Sequence, residues 1–402
     1  MNIFNVRSFA ACSAIALSTV FQVSNAQNLP PVETAAPTAD YKPAFPGQTR
    51  VPGAKTDAEL KVSIIAKGLK IPFGLRCLPD GRFLITEKIG DMVILKADGS
   101  PDKTIQNFSP VAVGGQGGLL DVNFDENFTK NRTLFWCYSE KVAEGYQLAV
   151  AKGVLAANDS KLENVQVIYH VKPAYAGGQL QFGSRILFDK EGNLFVSTGE
   201  HSADEMRVKA QDLDVAIGKI LHITRDGKPV PNGPFANKAG ALPEIYAYGF
   251  RNPEGMTWAP NGELWEAEFG PRGGDEINLI KPGQNYGWPV ITYGIEYRGV
   301  KVGEGIQQKD GMTQPVYYWN PSISPCGIMF YEGNMFPEWK GNMFVCALSG
   351  TQIARLIIKD DKVIAEEKLL ADKRERWRTL TTGKDGALYG VTDNGNLYRI
   401  AK

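Results

Sequence analysis

A short strand-turn-strand phrase recurs along this chain and constrains its fold more than any other feature. Leu78-Pro79-Asp80-Gly81-Arg82-Phe83-Leu84 opens the series. Lys190-Glu191-Gly192-Asn193-Leu194-Phe195, Pro260-Asn261-Gly262-Glu263-Leu264-Trp265 and Lys384-Asp385-Gly386-Ala387-Leu388-Tyr389 repeat it closely. Looser copies stand at Trp339-Lys340-Gly341-Asn342-Met343-Phe344 and between Glu126 and Trp136. Each copy sets Asp, Asn or Gly, where a positive φ costs little, ahead of an apolar, aromatic-rich strand. Radial repetition of this kind predicts one copy per blade of an all-β, six-bladed β-propeller. Such a fold gathers loops from distant parts of the sequence around one central opening, so functional residues are expected there.

The 402 residues suffice for one closed propeller, and 43 glycines with 10% aromatic residues suit a turn-rich β protein. Basic and acidic residues balance at 44 each, which disfavours nucleic acid or an anionic membrane surface as the main partner. Residues 1–26 have the form of a signal peptide: Arg7, an apolar run from Phe9 to Val23, then Ser24-Asn25-Ala26. Export to a periplasm or beyond is therefore expected, with no membrane insertion after cleavage. Residues 27–54, rich in Pro, Ala and Thr, read as a tether or disordered arm before a propeller over 55–402. Cys77, Cys137, Cys326 and Cys346 then remain. Cys326 and Cys346 flank an apparent hairpin, so both a disulfide and a pair of buried thiols are open. No Cys/His spacing matches a zinc site.

Several clusters can carry chemistry, and each also has a plain structural reading. Arg251-Asn252-Pro253 follows a strand-like run, and Pro253 disfavours helix at Asn252. A guanidinium fork beside an amide suits a carboxylate or carbonyl ligand, or simply satisfies loop carbonyls. Glu266 to Glu276 mixes carboxylates with Gly270-Pro271-Arg272-Gly273-Gly274, whose carbonyls suit calcium; a solvated acidic turn is the alternative. Asn285-Tyr286-Gly287-Trp288-Pro289 reads first as core packing. Arg376-Trp377-Arg378 would put two guanidinium groups on one strand face, calling for an anion or for solvent. Of three histidines, His170 and His222 fall on strands, leaving His201, after Glu200 on a loop, best placed as a general base. Gly114-Gly115-Gln116-Gly117-Gly118 precedes a strand, unlike a phosphate loop, and no nucleophile elbow is present.

Taken in order, GLKIPFGLRCLPDGRFLITEK, GGQGGLLDV, FGSRILFDKEGNLFVSTGE, PEIYAYGFRNPEGMTW, EFGPRGGDEINLI, NYGWPVITYG and RWRTLTTGKDGALYGVTD make the chain resemble the glucose/sorbosone dehydrogenase family, especially its soluble aldose sugar dehydrogenases. The resemblance runs from about Gly68 to the C-terminus. It implies a six-bladed propeller that holds pyrroloquinoline quinone and calcium near its axis and oxidises aldoses at C1. By the same resemblance Gln116, Arg251 and Asn252 contact the quinone, Arg251 and Asn252 also touch substrate, and Arg376 and Arg378 face its carboxylates. Gly270 and Pro271 hold the cofactor's calcium through backbone carbonyls, and Glu276 and Tyr286 match a second, structural calcium site.

Two positions depart from the family. Aligned on Arg185, the family's catalytic His is Gln181 here, and an amide cannot accept a proton near neutral pH. Ser349 stands near where relatives often carry a cation for the quinone. Three readings follow: a quinone-dependent sugar dehydrogenase in which Gln181 orients substrate, Glu200 or His201 takes the proton and an electron acceptor completes the cycle; a lyase, isomerase or hydrolase on the same scaffold; or a non-catalytic binding propeller.

Overall fold

The computed structural model describes residues 29–402, so the expected signal peptide at residues 1–26 lies outside the described residues. Six four-stranded antiparallel sheets are present. Their inner strands are Pro72–Cys77, Leu119–Asn123, Gly183–Phe188, Pro253–Trp258, Pro325–Phe330 and Trp377–Thr382, which define blades one to six. Each inner strand touches the inner strands of its two neighbours, and the last touches the first, so the ring is closed. Lys61–Ala66, from the start of the propeller, pairs with the C-terminal strand Leu397–Ala401 and completes blade six.

The recurring phrase forms the turn between the first and second strand of every blade. In four of the copies an Asp or Asn side chain closes the turn, as where Asp80 Oδ1 accepts the Arg82 N–H at 3.0 Å and Asp385 Oδ1 accepts that of Ala387 at 3.1 Å. Gly81 takes φ 93° at this turn, a value open to few other residues, and its counterparts in four other blades do likewise. The strands that follow are the buried ones. Phe83, Leu194, Trp265, Phe344 and Leu388 are each 3% exposed or less.

The apolar core is a set of seams between consecutive blades. One cluster joins Ile94 and Met92 of blade one to Trp136 of blade two, and another joins Trp265 of blade four to Val345 of blade five. A further cluster closes the circle between Tyr389 of blade six and Phe83 of blade one. Burying one such large side chain stabilises the fold by about 1.5–3 kcal/mol.

One expectation changes here. Residues 29–54 are laid against blades four and five instead of forming a loose arm. Val51 enters the seam between those blades, Gln48 Nε2 donates to Pro315 O at 2.9 Å, and Arg50 Nη2 donates to Asn320 O at 2.8 Å. The prolines suit an extended segment whose polar groups are satisfied by neighbouring backbone. The open question of the cysteines is also answered: all four in the described residues are free. Cys326 and Cys346 lie close across the hairpin, but the Cys326 thiol donates to Trp377 O at 3.1 Å, so the buried-thiol alternative holds. Among the described residues no helix is long and apolar enough to cross a membrane.

Deleting residues 29–54 should lower stability by more than about 2 kcal/mol, because a buried Val and several hydrogen bonds are lost. Thermal or urea unfolding checks this, and a loosely attached tether would leave the midpoint unchanged.

Candidate functional site

In a four-stranded blade the start of the inner strand and the loop between the second and third strands lie at the same end. Of the candidate catalytic, cofactor-binding and metal-binding residues, all except Glu276, Tyr286 and Arg378 sit in one of those two places. Gln116, Gln181, Arg251, Asn252 and Arg376 immediately precede or lead into inner strands. Glu200, His201, Gly270, Pro271 and Ser349 follow second strands. The phrase turns occupy the opposite end, and a groove of about 710 Å³ there, lined by Asp125, Asp189 and Arg225, holds none of these residues.

The centre of this mouth is built by Gln116, Gln181, Glu200, His201 and Arg251. Gln116 Oε1 accepts the Gln181 N–H at 2.7 Å, the His201 N–H donates to Gln181 O at 3.3 Å, and the Glu200 N–H donates to Arg251 O at 3.1 Å. Gln181, Ser184, His201 and Ser202 all adopt positive φ although none is glycine. Left-handed backbone at such residues costs about 1–3 kcal/mol each and concentrates at functional sites. Gln181 Oε1, His201 Nδ1 and Arg251 Nε are buried without a hydrogen-bond partner. Unpartnered buried polar atoms are costly, so three at one opening fit a site that receives a polar ligand.

Burial shifts two of these groups in opposite directions. Burial raises the Glu200 carboxyl to about 7, against the opposing pull of Arg251 and a hydrogen bond from the Ser202 N–H. Burial likewise lowers His201 to about 4, between the rings of Tyr175 and Phe182. His201 is thus neutral but a weak base at neutral pH, whereas Glu200 is poised to exchange a proton there.

Arg251 is held on several sides. Its Nη1 donates to Gly270 O at 2.8 Å and Phe269 O at 3.2 Å, and its guanidinium lies 5.3 Å from the centre of the Trp288 ring. Its N–H donates to Glu268 Oε2 at 2.6 Å. The aromatic turn is buried as expected, and it also supplies the surface on which this guanidinium rests.

Other expected ligands are committed within the protein. Both ends of the Asn252 amide are engaged, Oδ1 by the Gly183 N–H at 2.9 Å and Nδ2 with Glu254 Oε1 at 3.1 Å. Asn252 therefore fastens blade three to blade four, with one lone pair and one N–H beyond these bonds. Arg378 is buried and paired with Glu254 at 2.7 Å and Asp393 at 3.0 Å, which together raise its pKa although burial works against the charge. Arg376 shares Asp393 at 3.0 Å but keeps a half-exposed guanidinium, so of the two it is the one a ligand can reach. Ser349 is exposed and shares a 2.8 Å hydroxyl hydrogen bond with Ser324.

The calcium positions divide similarly. The Gly270 carbonyl faces Arg251 Nη1, so a cation on that oxygen would have to displace the guanidinium. Tyr286 turns its hydroxyl to Leu279 O at 2.7 Å and stacks on Phe250, so its side chain is not offered to a metal. Glu276 instead pairs across the sheet with Glu268, with Glu266 and Asn278 on the same face. Burial raises all three carboxyls, with added repulsion from Glu268 on Glu266 and Glu276 and from Asp275 on Glu268. Among the described residues no group of three or more His, Cys, Asp or Glu has the geometry of a metal site.

Sequence reasoning missed the groups that hold the mouth in shape. Phe73 lies beneath the guanidinium groups of Arg185 and Arg378, 4.7 and 5.1 Å from its ring centre. Asp121 takes Arg76 at 3.1 Å and Arg185 at 3.5 Å. Asp275 accepts the Gly270 N–H at 2.8 Å and those of Ile323 and Ser324 at 2.7 Å, joining blades four and five. Glu254, Asp275 and Asp393 stand inside the family-like phrases, but only the ring geometry reveals their partners.

With this geometry in place, the comparisons become informative. The family model for glucose/sorbosone dehydrogenase matches residues 69–399. The aldose sugar dehydrogenase YliI of Escherichia coli is 37% identical over 350 residues, covering 86% of this chain and 93% of that protein. The crystal structure of the soluble aldose sugar dehydrogenase of Escherichia coli in its apo form superposes with a TM-score of 0.81 at 35% identity, covering 85% of this chain and 99% of that one. The PQQ-bound aldose sugar dehydrogenase of Streptomyces coelicolor does so with 0.70 at 25% identity, covering 86% and 98%.

Glu268 yields a prediction about pH. Burial raises its carboxyl from the ordinary 4.5 to about 8. The folded chain keeps a proton that the unfolded chain releases, so this group's contribution to stability is full below about 4.5 and is lost as pH rises to about 8. Glu268→Gln, whose amide oxygen can still accept the Arg251 N–H, should flatten the fall in unfolding free energy across that window in chelator-treated protein. Equal slopes for both proteins would contradict the assignment.

Proposed function

The chain belongs to the glucose/sorbosone dehydrogenase family, and on that premise we propose that it oxidises an aldose at its anomeric carbon with pyrroloquinoline quinone and calcium. The supporting observation is the juxtaposition of Arg251, with its unpartnered Nε, and Glu200, with its carboxyl raised to about 7. The unpartnered Arg251 Nε and the reachable guanidinium of Arg376 fit a flat, polycarboxylated ligand, while the acceptor Gln181 Oε1 fits a sugar hydroxyl. The quinone, when bound, supplies the acceptor for the hydride leaving C1. Gly270 and Pro271 offer carbonyl oxygens for calcium once Arg251 releases the first of them. An external electron acceptor is required for turnover.

The protein's own part is to orient the sugar and remove the proton from its C1 hydroxyl. Gln181 can donate and accept hydrogen bonds but takes no proton, so it orients. Glu200 is the proton acceptor in this reading, replacing the missing imidazole, and the neutral His201 edge fixes the substrate's position. Oxidation at C1 then releases a lactone. Export to the periplasm or beyond belongs to the same proposal and rests on the sequence of residues 1–26.

Gln181 also favours a second reading, in which an anionic or polyol substrate undergoes a non-redox reaction at the same mouth. Steady-state dye reduction separates the two. Protein loaded with the quinone and calcium should reduce dye in the presence of an aldose, with a rate rising through pH 7 as Glu200 loses its proton. Glu200→Gln should lower kcat by about 10²–10⁴-fold and abolish that pH limb. Bound quinone without aldose-dependent reduction would favour the non-redox reading.

A further inference from the structure

Lys88 lies in the loop between the second and third strands of blade one, at the same end as the site. Its backbone is fixed there, since Lys88 O accepts the Leu119 N–H at 3.2 Å and the Lys88 N–H donates to Ile71 O at 3.0 Å. A Cβ on Gly118 would come within 2.1 Å of that carbonyl, so this loop and the one bearing Gln116 are in direct contact. The ammonium reaches Gly115 O at 3.2 Å. It also lies within electrostatic range of Arg378, Glu254 and Asp393 at the axis, while burial lowers its pKa.

Among the described residues no carboxylate lies within ion-pair distance of this ammonium. The surrounding carboxylates are already engaged: Glu254 serves Arg378, Asp393 serves both Arg376 and Arg378, and Asp121 serves both Arg76 and Arg185. A half-buried ammonium resting on one neutral carbonyl, beside guanidinium groups that must share their counter-ions, leaves the mouth short of negative charge. An anionic ligand restores the balance.

We propose that Lys88 is a ligand-binding cation of the central site, holding one carboxylate of a planar polycarboxylate between the Gln116 loop and the Arg376–Asp393 pair. This rests on the quinone reading above and deepens it. A point charge on a flexible stem complements the rigid fork of Arg376, and the neighbouring blades bring the two within span of a single ligand. Lys88 acts on affinity, since its ammonium is at the anion-binding side and takes no proton from the sugar.

The test is equilibrium titration of the wild type, Lys88→Met, Lys88→Arg and Arg376→Ala with two probes, pyrroloquinoline quinone and the redox-inert benzene-1,3,5-tricarboxylate. Lys88→Met should weaken both by about tenfold, the scale of one charge-assisted hydrogen bond, and Lys88→Arg should restore most of the loss. The difference between wild type and Lys88→Met should shrink as salt is raised. Thermal midpoints confirm that each variant is folded. Unchanged binding of both probes by Lys88→Met, with Arg376→Ala weakened, would overturn the role of Lys88 and leave the quinone reading standing. Wild type that binds the tricarboxylate but not the quinone would overturn the quinone reading alone, with the loss in Lys88→Met still supporting the cation. Wild type that binds neither would overturn both.

Discussion

The mouth of this propeller depends on buried carboxylates that bridge blades near the axis. Glu254 of blade four takes Arg378 of blade six and the Asn252 amide through its side chain, while its carbonyl receives the Arg185 guanidinium of blade three. Asp121 of blade two holds Arg185 from the other side. Neutralising one member would strand a buried charge, a loss of about 3–5 kcal/mol by comparison with other buried pairs. Apolar seams hold the blades side by side, but these pairs set the spacing of the inner strands. That spacing fixes the positions from which Arg251, Gln181 and Glu200 reach the opening.

The two ends of the propeller are under different demands. At the phrase end, Asp, Asn and Gly close most turns by local hydrogen bonds, and the left-handed residues there, such as Asp360 and Asp361, sit in tight strand-to-strand turns. At the opposite end, non-glycine residues sit in left-handed conformations and polar atoms are buried without partners. Stability contributed by the seams offsets this strain, so the site can be held ready for a ligand before one arrives. Glu268 and Asp275 join the two demands: each buried carboxylate accepts backbone N–H groups that shape a site loop, Arg251 for the first and Gly270 for the second.

The blade count was legible because its signal is local. A turn closed by its own side chain and followed by an apolar strand needs no partner to be recognised, and the phrase repeats once per blade. The family phrases likewise brought Gln116, Gln181, Arg251 and Arg376 to one end of one ring. What could not be read is which polar groups remain free there. Asn252 and Arg378 look like ligands in the sequence, yet Gly183, Glu254 and Asp393 already engage them, and those partners lie in other blades. Tyr286 belonged to the packing pattern of its own turn. Lys88 carried no signal as a lone lysine beyond a strand, and only the closure of blade one against the Gln116 loop brings it to the axis. Residues 29–54 misled by composition, since prolines that suit a loose arm equally suit an extended strap whose polar groups find backbone partners.

On the proposed function, the unpartnered buried atoms of the mouth await a polar ligand. A crystal structure of the protein soaked with pyrroloquinoline quinone, calcium and an aldose tests it most directly. Arg251 Nε, Gln181 Oε1 and His201 Nδ1 should each come within hydrogen-bond distance of the bound quinone or sugar, with the sugar's C1 hydroxyl next to Glu200. A ligand bound elsewhere, with those three atoms still unpartnered and Glu200 still enclosed by Arg251 and Ser202, would contradict it.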